Sequence, residues 1–472
     1  MSFAPPPERV LSTLNPDGSR FTIHPRVSPG RFHAARRVVG YALIVLFVAL
    51  PYVDVGGKPA ILLDLYRREF TFVGATFRPA DGFILMLFGL TVVLGVFLVT
   101  AIAGRVWCGW GCPQTVYLEW IFRPIERLLE GGPSQSRQLD ERGGLSWRRT
   151  TKWAVYAALS FALAHTFLSY FVGASTVAQW VRSSPAIHPV GFGVVVAVTA
   201  LMFFDFAYFR EQTCVLACPY GRLQSVLLDE HSLIIGYDQR RGEPRGKAPG
   251  GKRGRAFPVV RDGAAPAGDC VDCNACVNTC PTGIDIRRGL QMECIGCAQC
   301  IDACDAIMDR LERPRGLIRY TAKSELAGRA RRLLRPRVLV YPVALAVVVA
   351  LFVVQVEART QADVWVLRHD GAPFSSLDDG SISTPVRIKI ENRSPATRVY
   401  RLELRDAPEV RAISPRPDYP LAPGATTVAP LFVISPRRAF VHGERPAQVV
   451  VSDDAGWHTT LDVTILGPES SP

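Results

Sequence analysis

The sequence predicts a multi-domain protein with an α-helical membrane bundle of about five spans, a small cysteine-rich domain and a C-terminal all-β sandwich. Mean hydropathy is positive, at +0.16, although the net charge is +12, so apolar segments must alternate with basic loops. All 12 cysteines lie between Cys108 and Cys304. Residues 358–472 contain no cysteine and show short runs of alternating apolar and polar residues.

Five apolar segments have about the length needed to cross a bilayer, which takes about 20 residues. They are residues 38–53, 82–103, 153–172, 191–209 and 338–354. The first and the last are short, and we expect their helices to extend into the flanking residues. A soluble protein with buried helices is the alternative, but runs such as YPVALAVVVALFVVQV lack the polar face of a soluble helix.

The loops differ in arginine content, which predicts the orientation of the spans. Arginine is abundant in the N-terminal segment 1–37 and in the loops after the second and fourth spans. The loop between the third and fourth spans, residues 173–190, contains a single arginine, Arg182. The positive-inside rule places these basic regions, and with them every cysteine, on the cytoplasmic side of a bacterial inner membrane. The residues after the fifth span are then periplasmic, and the first span is expected to be an uncleaved anchor. One mild conflict is the loop between the first two spans, which carries Lys58, Arg67, Arg68 and Arg78.

Eight cysteines form two runs with the spacing C-x2-C-x2-C-x3-C, the pattern of bacterial ferredoxins with two clusters. The fourth cysteine of each run cannot easily reach the cluster held by the first three, so ligation is expected to cross between the runs. One [4Fe–4S] cluster is assigned to Cys270, Cys273, Cys276 and Cys304, and the other to Cys294, Cys297, Cys300 and Cys280.

Two structural zinc sites are the alternative for these eight cysteines. Zinc sites generally use two C-x2-C pairs separated by a longer gap, and three cysteines in one short run suit an iron–sulfur cubane better. The second run departs from the ferredoxin pattern at Asp305, where proline is expected. This departure concerns the local turn and leaves the ligands unchanged.

Two further cysteine pairs share the sequence C-x3-C-P and follow apolar spans. They are Cys108 and Cys112 in RVWCGWGCPQT, and Cys214 and Cys218 in TCVLACPYG. Each pair ends a hairpin of two spans, so residues 38–125 and 153–228 form a loose internal repeat. Thiols four residues apart share one face of a helix and could bind a soft metal such as copper or form a redox pair. Small apolar packing residues are the alternative interpretation.

The proline after each second cysteine suits the first turn of a following helix. After the first pair this helix reads PQTVYLEWIFRPIERLLE, which has an amphipathic pattern. We expect it to lie along the cytoplasmic membrane surface.

Other polar residues give weaker indications. His165 lies within the third span and Asp205 near the end of the fourth, and ionisable residues in a membrane are functional candidates. A membrane haem generally needs two histidines on facing spans, and no second histidine lies within a span, so we do not expect a haem. The basic, glycine-rich stretch 239–255 could be a nucleic-acid arm. Its position beside a membrane favours a flexible linker next to anionic lipid, so we expect no nucleic-acid partner.

The C-terminal residues 358–472 contain runs such as PVRIKIEN and VYRLEL, separated by Pro, Gly and Asn turns. This alternation predicts an antiparallel sandwich of immunoglobulin-like type. Because the region has few evident catalytic groups, we interpret it as a periplasmic interaction domain.

Together these motifs resemble the cytochrome c oxidase accessory proteins of the CcoG/FixG/RdxA type, which are membrane-bound polyferredoxins. The resemblance covers nearly the whole chain and rests on four stretches: AGRVWCGWGCPQTV, ACPYGRLQSVLLD, DCVDCNACVNTCPTGIDIRRGLQMECIGCAQCIDACD and RPRGLIRYT. Family membership implies reduction of Cu(II) to Cu(I) during assembly of a cbb-type haem–copper oxidase. It also implies oxidase assembly factors, or a copper chaperone or transporter, as partners.

Five regions follow from the motifs and the resemblance. They are a cytoplasmic N-terminal segment (1–37), a four-span membrane region with two C-x3-C-P motifs (38–228), a cytoplasmic ferredoxin-like domain (229–337), a fifth span (338–357) and a periplasmic immunoglobulin-like domain (358–472).

The predicted function is that of a membrane-bound iron–sulfur electron-transfer protein acting as a cupric reductase, with copper as substrate or transient ligand. In this interpretation Cys108, Cys112, Cys214 and Cys218 receive copper or an electron at the membrane face. The electron donor is unknown. Two alternatives stay open: a quinol-linked electron-transfer subunit of a periplasmic respiratory system, and a non-catalytic assembly scaffold.

The predicted orientation can be tested with reporter fusions. A reporter that is active only after export should be active when fused after Pro472 and inactive when fused near Arg245. The physical reason is the excess of arginine in the loops predicted to stay inside. The reverse pattern would place the cysteine-rich domain outside the reducing compartment and contradict the assigned topology.

Overall fold

The computed structural model describes residues 13–15, 17, 19–55, 58–66, 68–77, 81–144, 146–246, 268–332, 334–358, 360–367, 371–394, 396–405 and 409–468. The chain divides into two compact units, Met1–Phe352 and Val353–Pro472. The first unit contains nearly all of the helices together with the twelve cysteines, and the second is built from strands.

The α-helices of the described residues are, in chain order, α1 (Arg31–Ala49), α2 (Gly82–Ala103), α3 (Val106–Trp110), α4 (Pro113–Tyr117), α5 (Arg123–Glu130), α6 (Pro133–Arg142), α7 (Trp147–Val172), α8 (Ala174–Val181), α9 (Pro189–Phe204), α10 (Pro219–Leu227), α11 (Gln239–Gly242), α12 (Ala275–Asn278), α13 (Gln299–Arg310), α14 (Lys323–Leu326) and α15 (Pro336–Glu357). Short 3-10 or π-helical turns extend several of them: Leu50–Tyr52, Leu118–Phe122, Asp205–Phe209, Thr213–Ala217, Ile286–Arg288 and Arg437–Ala439.

The β-strands of the described residues are, in chain order, β1 (Asp54–Val55), β2 (Lys58–Pro59), β3 (Ile61–Asp64), β4 (Glu69–Phe72), β5 (Ala75–Phe77), β6 (Ile234–Tyr237), β7 (Ile318–Thr321), β8 (Ala362–Leu367), β9 (Ser375–Ser376), β10 (Ser381–Asn392), β11 (Arg398–Arg405), β12 (Arg411–Ile413), β13 (Tyr419–Leu421), β14 (Thr426–Pro436), β15 (Glu444–Asp453) and β16 (His458–Leu466).

Five helices are long and apolar enough to cross a membrane, which confirms the predicted number of spans. They cover Arg31–Tyr52, Gly82–Ala103, Trp147–Val172, Pro189–Phe209 and Pro336–Glu357. The first and last are longer than their apolar runs, as expected from the flanking residues. Their side chains are largely exposed, which suits helices whose apolar surface faces lipid.

The helix after the first cysteine pair differs from its expected position on the membrane surface. From α4 through the π-helical turn to α5, the chain is buried on several sides, with Trp120 7% exposed and Phe122 fully buried. Phe122 stacks on Phe206 with ring centroids 4.1 Å apart, and the Tyr156 hydroxyl donates to its carbonyl oxygen at 2.7 Å. The surface-helix interpretation was therefore wrong, because the polar face is satisfied by other protein groups.

Two cysteine runs and the antiparallel strand pair β6–β7 form a small domain within the first unit. In this pair Ile235 lies opposite Tyr320. The buried aliphatic residues Ile284 and Ile301 pack in the same core as the cysteines. At the departure from the ferredoxin pattern, α13 simply continues, and the Asp305 carboxylate accepts a hydrogen bond from the Gly316 amide at 3.0 Å.

The second unit is a sandwich of two antiparallel sheets, which confirms the immunoglobulin-like prediction. One sheet has the order β12-β14-β10-β8, with β9 pairing with β10, and the other has the order β13-β11-β15-β16. Inward side chains such as Ile388 and Val449 are fully buried between the sheets. Their outward neighbours are more exposed, which is the period-two pattern visible in the sequence.

Candidate functional site

The eight ferredoxin-type cysteines line two adjacent pockets. The first is lined by the cysteines Cys276, Cys280, Cys294, Cys297 and Cys300. The second is lined by the cysteines Cys270, Cys273, Cys276 and Cys304. The fourth cysteine of each run thus lies with the first three cysteines of the other run, and Cys276 separates the two pockets.

Both cysteine runs fold into the same loop because they adopt left-handed backbone conformations at equivalent positions. Asp272 and Asn274 have φ values of 51° and 57°, and Gly296 and Ala298 have values of 69° and 62°. These positions lie two and four residues after the first cysteine of each run. The left-handed turns point the loop thiols inward, and a short helix begins after the second turn in each run.

The thiols are buried among aliphatic residues, which makes their charged form unfavourable. Burial raises the pKa of the Cys294 thiol to about 12, while the Gly296 amide that donates to its sulfur opposes this. Burial likewise raises the pKa of Cys297 to about 11 and that of Cys276 to about 12. A bound metal must therefore displace these protons, and the energy of metal binding becomes energy of folding.

The donor set fits [4Fe–4S] clusters better than the zinc alternative. Four thiolates around one zinc ion must converge to about 2.3 Å from it. Among the described residues, no group of three or more His, Cys, Asp or Glu side chains surrounds a single-ion position in this way. Each pocket is instead lined by at least four thiols, the number of ligands that a cubane takes.

The two C-x3-C-P motifs have the same backbone conformation, which supports the predicted internal repeat. Four residues before the first cysteine of each motif, Gly104 has φ 60° and ψ −129° and Arg210 has φ 51° and ψ −120°. The amide of Cys112 donates to the carbonyl five residues earlier at 2.8 Å, and the amide of Cys218 does the same at 2.7 Å. As predicted, each following proline begins a helix.

Neither motif is one continuous helix, so the expectation of a shared helical face does not apply. The chain leaves the first short helix at Gly111, and Cys112 is extended, with ψ 125°. Cys218 is extended in the same way, with ψ 110°. Each second thiol is thereby placed at the start of the next helix.

The structure brings the four C-x3-C-P thiols together. Cys108 Sγ lies 3.0 Å from Gln224 Oε1, on the helix that follows the second motif. Burial raises the pKa of Cys214, and the nearby Cys112, Cys108 and Cys218 thiols raise it further. Burial also raises the pKa of Cys108 to about 12. The four thiols, two from each repeat, therefore lie near one another, and we call them the C-x3-C-P thiol cluster.

This thiol cluster lies against the loop that lines the first ferredoxin pocket. A Cβ atom on Gly109 would lie 2.8 Å from the Cys297 Cα, so only glycine permits so close an approach. Trp110 Nε1 donates to the Tyr320 hydroxyl at 3.1 Å, and that hydroxyl donates to the Gly296 carbonyl at 2.7 Å. The first C-x3-C-P motif is therefore fixed to the loop between two of the ferredoxin cysteines.

Arg105 joins the three parts of the site and was not predicted as a site residue. Its guanidinium donates to the carbonyl oxygens of Met292, Cys294 and Gly221, with the last two at 3.3 and 2.6 Å. In the sequence, Arg105 is one of the arginines in the basic loop after the second span. Its position three residues before the first cysteine was the available signal.

A network of buried ions connects the two repeats next to the thiols. Arg210 donates to both carboxylate oxygens of Glu126, at 3.0 and 2.8 Å. Lys152 Nζ lies 2.7 Å from Glu130, and Arg123 lies 3.3 Å from Glu211 and donates to the Pro281 carbonyl at 3.1 Å. Burial alone would raise the pKa of the Glu126 carboxyl, but Arg210 and Lys152 lower it to about 2.

A larger and more polar cavity lies beside the same domain. Its lining combines aromatic, cationic and amide side chains: Arg26, His33, Arg37, Tyr41, Glu119, Trp120, Arg127 and Gln299 are among them. Gln299 Oε1 is buried without a hydrogen-bond partner among the described residues. Gln299 directly precedes Cys300, so the cavity ends close to a ferredoxin cysteine.

The remaining candidates lie elsewhere. His165 Nδ1 is 2.8 Å from the Phe161 carbonyl of its own helix, and the Asp205 carboxylate accepts a hydrogen bond from Thr213 in the second C-x3-C-P motif. Of the basic stretch 239–255, residues 247–255 lie outside the described residues.

Comparison with protein families agrees with this geometry. A 4Fe-4S dicluster domain matches residues 209–323, and a 4Fe-4S binding domain matches residues 85–130. The immunoglobulin-like fold found at the C-terminus of FixG matches residues 352–468.

Three relatives are similar over most of their length. The chain is 35% identical to protein RdxA of Cereibacter sphaeroides, with 96% of each chain covered. It is 36% identical to protein RdxB of the same organism over 84% of each chain. It is 32% identical to nitrogen fixation protein FixG of Rhizobium meliloti, covering 92% of this chain and 90% of FixG.

Five apolar helices, cysteine-lined pockets and an immunoglobulin-like sandwich define a multi-pass membrane-bound iron–sulfur electron-transfer protein. The chain belongs to the FixG/RdxA family of polyferredoxins.

The buried ion pair between Arg210 and Glu126 generates a stability prediction. Arg210→Gln should destabilise the protein by about 3–5 kcal/mol, because the buried Glu126 carboxylate loses both hydrogen bonds to its main cationic partner and keeps the more distant Lys152 at 3.7 Å. The double variant Glu126→Gln/Arg210→Gln should be more stable than the single variant, since it removes both charges. Thermal unfolding in detergent measures both, and equal destabilisation by the single and double variants would contradict a coupled pair.

The sign of the pH dependence follows from the lowered pKa of Glu126. Its pKa falls from 4.5 to about 2 on folding. The stabilisation is therefore complete above pH 4.5 and is lost as the pH falls toward 2, where the carboxylate becomes protonated.

Proposed function

We propose that the two ferredoxin pockets hold [4Fe–4S] clusters with crossed ligation. One cluster is bound by Cys270, Cys273, Cys276 and Cys304, and the other by Cys294, Cys297, Cys300 and Cys280. The support is the composition of the pockets, in which each run's fourth cysteine lies with the other run's first three. Such clusters, when bound, accept and release single electrons.

The residues around the pockets stabilise the thiolate form that ligation requires. Arg287 donates to Asp285 at 2.8 Å and to Asp272 at 2.6 Å, and its positive charge opposes the rise in the pKa of Cys276 that burial causes. Amide groups donate to the sulfurs of Cys294 and Cys297. Isoleucine side chains exclude water from the first pocket. These groups set the charge and the solvent access of the site.

We propose that the chain reduces Cu(II) to Cu(I) for the assembly of a cbb-type haem–copper oxidase. The observation that carries this proposal is the contact between the C-x3-C-P thiol cluster and the Cys294–Cys297 loop, which gives an electron a short route out of the ferredoxin domain. The reduction consumes one electron per copper ion, and soft thiolate ligands favour the Cu(I) product. Copper is the substrate in this proposal. Electrons would leave the protein at the thiol cluster of Cys108, Cys112, Cys214 and Cys218.

The proposed placement follows the loop charges. The N-terminal segment (1–37), the four-span region's basic loop and the ferredoxin-like domain (229–337) face the cytoplasm of a bacterial inner membrane. The fifth span (338–357) leads to a periplasmic immunoglobulin-like domain (358–472). Partners would be oxidase assembly factors or a copper chaperone or transporter, together with a donor of electrons.

A quinol-linked electron-transfer subunit is the second candidate function, and the polar cavity favours it. Trp120 and His33 lie with their ring centroids 5.2 Å apart in its wall, and Gln299 Nε2 is 3.0 Å from His33 Nδ1. Aromatic and polar groups of this kind suit a quinol headgroup, which combines a flat ring with two hydroxyl groups. In this case the cavity would be the place where electrons enter or leave.

Crossed ligation predicts which cysteine replacements share one cluster. Cys280→Ser/Cys300→Ser should lose about four irons, because both residues belong to the same cubane. Cys280→Ser/Cys270→Ser should lose about eight, because each residue serves a different cubane. Iron and acid-labile sulfide are measured on anaerobically purified full-length protein, and the opposite pattern would show that each run binds its own cluster.

Copper reduction is tested on the full-length protein in lipid nanodiscs. The protein is reduced with dithionite, freed of excess reductant and mixed with Cu(II) and a Cu(I)-specific dye. We expect one Cu(I) for each stored electron, and correspondingly fewer from Cys276→Ser/Cys300→Ser, which removes one ligand from each ferredoxin pocket and so loses the electrons that those two clusters store.

The same sample separates the alternatives. Rapid oxidation by a soluble ubiquinone analogue with no reaction with Cu(II) would favour the quinol-linked function. No reaction with either acceptor would favour a scaffold whose clusters serve only in folding.

A further inference from the structure

The four C-x3-C-P cysteines are the largest group of thiols that the two ferredoxin pockets do not use. They are all free and partly buried, and they come from two distant parts of the chain. We propose that Cys108, Cys112, Cys214 and Cys218 together hold a third [4Fe–4S] cluster, with two ligands from each repeat.

The first argument is that the two motifs present their thiols equivalently. The amide of each first cysteine donates three residues back, Cys108 to Arg105 and Cys214 to Glu211, both at 3.1 Å. Each second cysteine is extended and immediately precedes a proline-initiated helix. Two equivalent pairs that face each other are suited to the four corners of a cubane.

The second argument is that the two motifs are packed against each other. The side-chain amide Nε2 of Gln114, after the first motif, donates to the Arg210 carbonyl, before the second, at 3.0 Å. In return Gln224, after the second motif, accepts from the Cys108 thiol at 3.0 Å. A Cβ atom on Gly221 would lie 3.2 Å from the Cys214 carbonyl, so this helix too starts close to the thiols.

The third argument concerns the number of ligands. A 4Fe-4S binding domain matches residues 85–130, in which the cysteines are Cys108 and Cys112. A cubane bound by cysteine takes four thiolates, so two more must come from elsewhere. The other eight cysteines line the ferredoxin pockets, whereas the motif of Cys214 and Cys218 is packed against the first pair through the Gln114 and Gln224 side chains.

The surroundings of the thiols resemble those of the ferredoxin cysteines. The amides of Gln114 and Thr115 donate to the Cys112 sulfur, as the amide of Gln299 does to Cys297. Arg105 places a positive charge near Cys108, opposing the effect of burial. Amide donors and a nearby cation stabilise the negative charge of ligated thiolates.

A resident copper ion explains the arrangement less well. A single ion draws its thiolates to bonding distance. In the part of the chain that the structure describes, neither these four thiols nor the eight ferredoxin thiols form a group of three around one ion.

The third site would extend the row formed by the other two. Cys276 lines both ferredoxin pockets, and the Cys297 loop contacts Gly109 between Cys108 and Cys112. The order is therefore the Cys270 pocket, the Cys294 pocket and the C-x3-C-P site. This role in electron transfer rests on the proposed function, but occupancy by iron does not.

The test is the iron content of the full-length protein purified without oxygen. Three clusters predict about twelve irons and twelve labile sulfides per chain, against about eight of each for two clusters. Mössbauer spectroscopy should assign all of the iron to [4Fe–4S] clusters. This measurement requires no variant, so a failure of any variant to fold does not affect it.

Cysteine replacements then locate the third cluster. Cys108→Ser/Cys112→Ser and Cys214→Ser/Cys218→Ser should each lose about four irons, and the quadruple variant should lose the same four. Cys270→Ser/Cys273→Ser is the matched control, and its loss should add to that of the quadruple variant.

Two other results would overturn the proposal. About eight irons in the unchanged protein, with one bound copper that both double variants lose, would identify a copper site. About eight irons with no copper would leave the thiols as packing groups. Twelve irons without Cu(II) reduction would support the third cluster while contradicting the proposed function.

Discussion

The structure depends on charges that are buried at the junction of the two repeats and the ferredoxin-type domain. Removing a guanidinium or a carboxylate from water costs several kcal/mol, and it is tolerated only when a partner of opposite charge is placed in good geometry. Here Arg210 meets Glu126 through two hydrogen bonds, and Arg123 lies between Glu211 and the Pro281 carbonyl. Because each contact joins segments that are distant in sequence, the ion pairs align the repeats that carry the C-x3-C-P thiols.

Backbone carbonyl groups supply the second set of partners for these arginines. Arg105 donates to carbonyls on both sides of the site, and Arg36 donates to the Gly109 carbonyl at 2.8 Å. A guanidinium presents several donors in a rigid plane, so it can bridge loops that have no regular secondary structure. The cysteine-rich loops are therefore fixed in place by arginine side chains that bind their backbone carbonyl groups.

Features of the fold that depend on neighbouring residues were predicted correctly from the sequence. Three patterns are visible over short stretches of sequence: the five apolar spans, the two C-x2-C-x2-C-x3-C runs and the alternating strands of the sandwich. All three appear in the structure. The helix from Pro113 to Glu130 was placed wrongly on the membrane surface. Its amphipathic pattern shows that one face is polar. The pattern alone does not show that Glu126 on this face forms ion pairs with Arg210 and Lys152, which come from later in the chain.

The sequence by itself identified the candidate site residues: twelve cysteines in four groups, whose spacings are local patterns along the chain. Only the tertiary structure decided which groups meet. Cys304 joins the first run, Cys280 joins the second, and the pair at Cys108 meets the pair at Cys214. The physical reason is that the spacing of thiols along the chain is a local property. Whether two groups of thiols meet depends on helix packing and on buried ion pairs between segments about 100 residues apart. The contact of Cys108 Sγ with Gln224 Oε1, at 3.0 Å, joins residues that are 116 positions apart in the sequence.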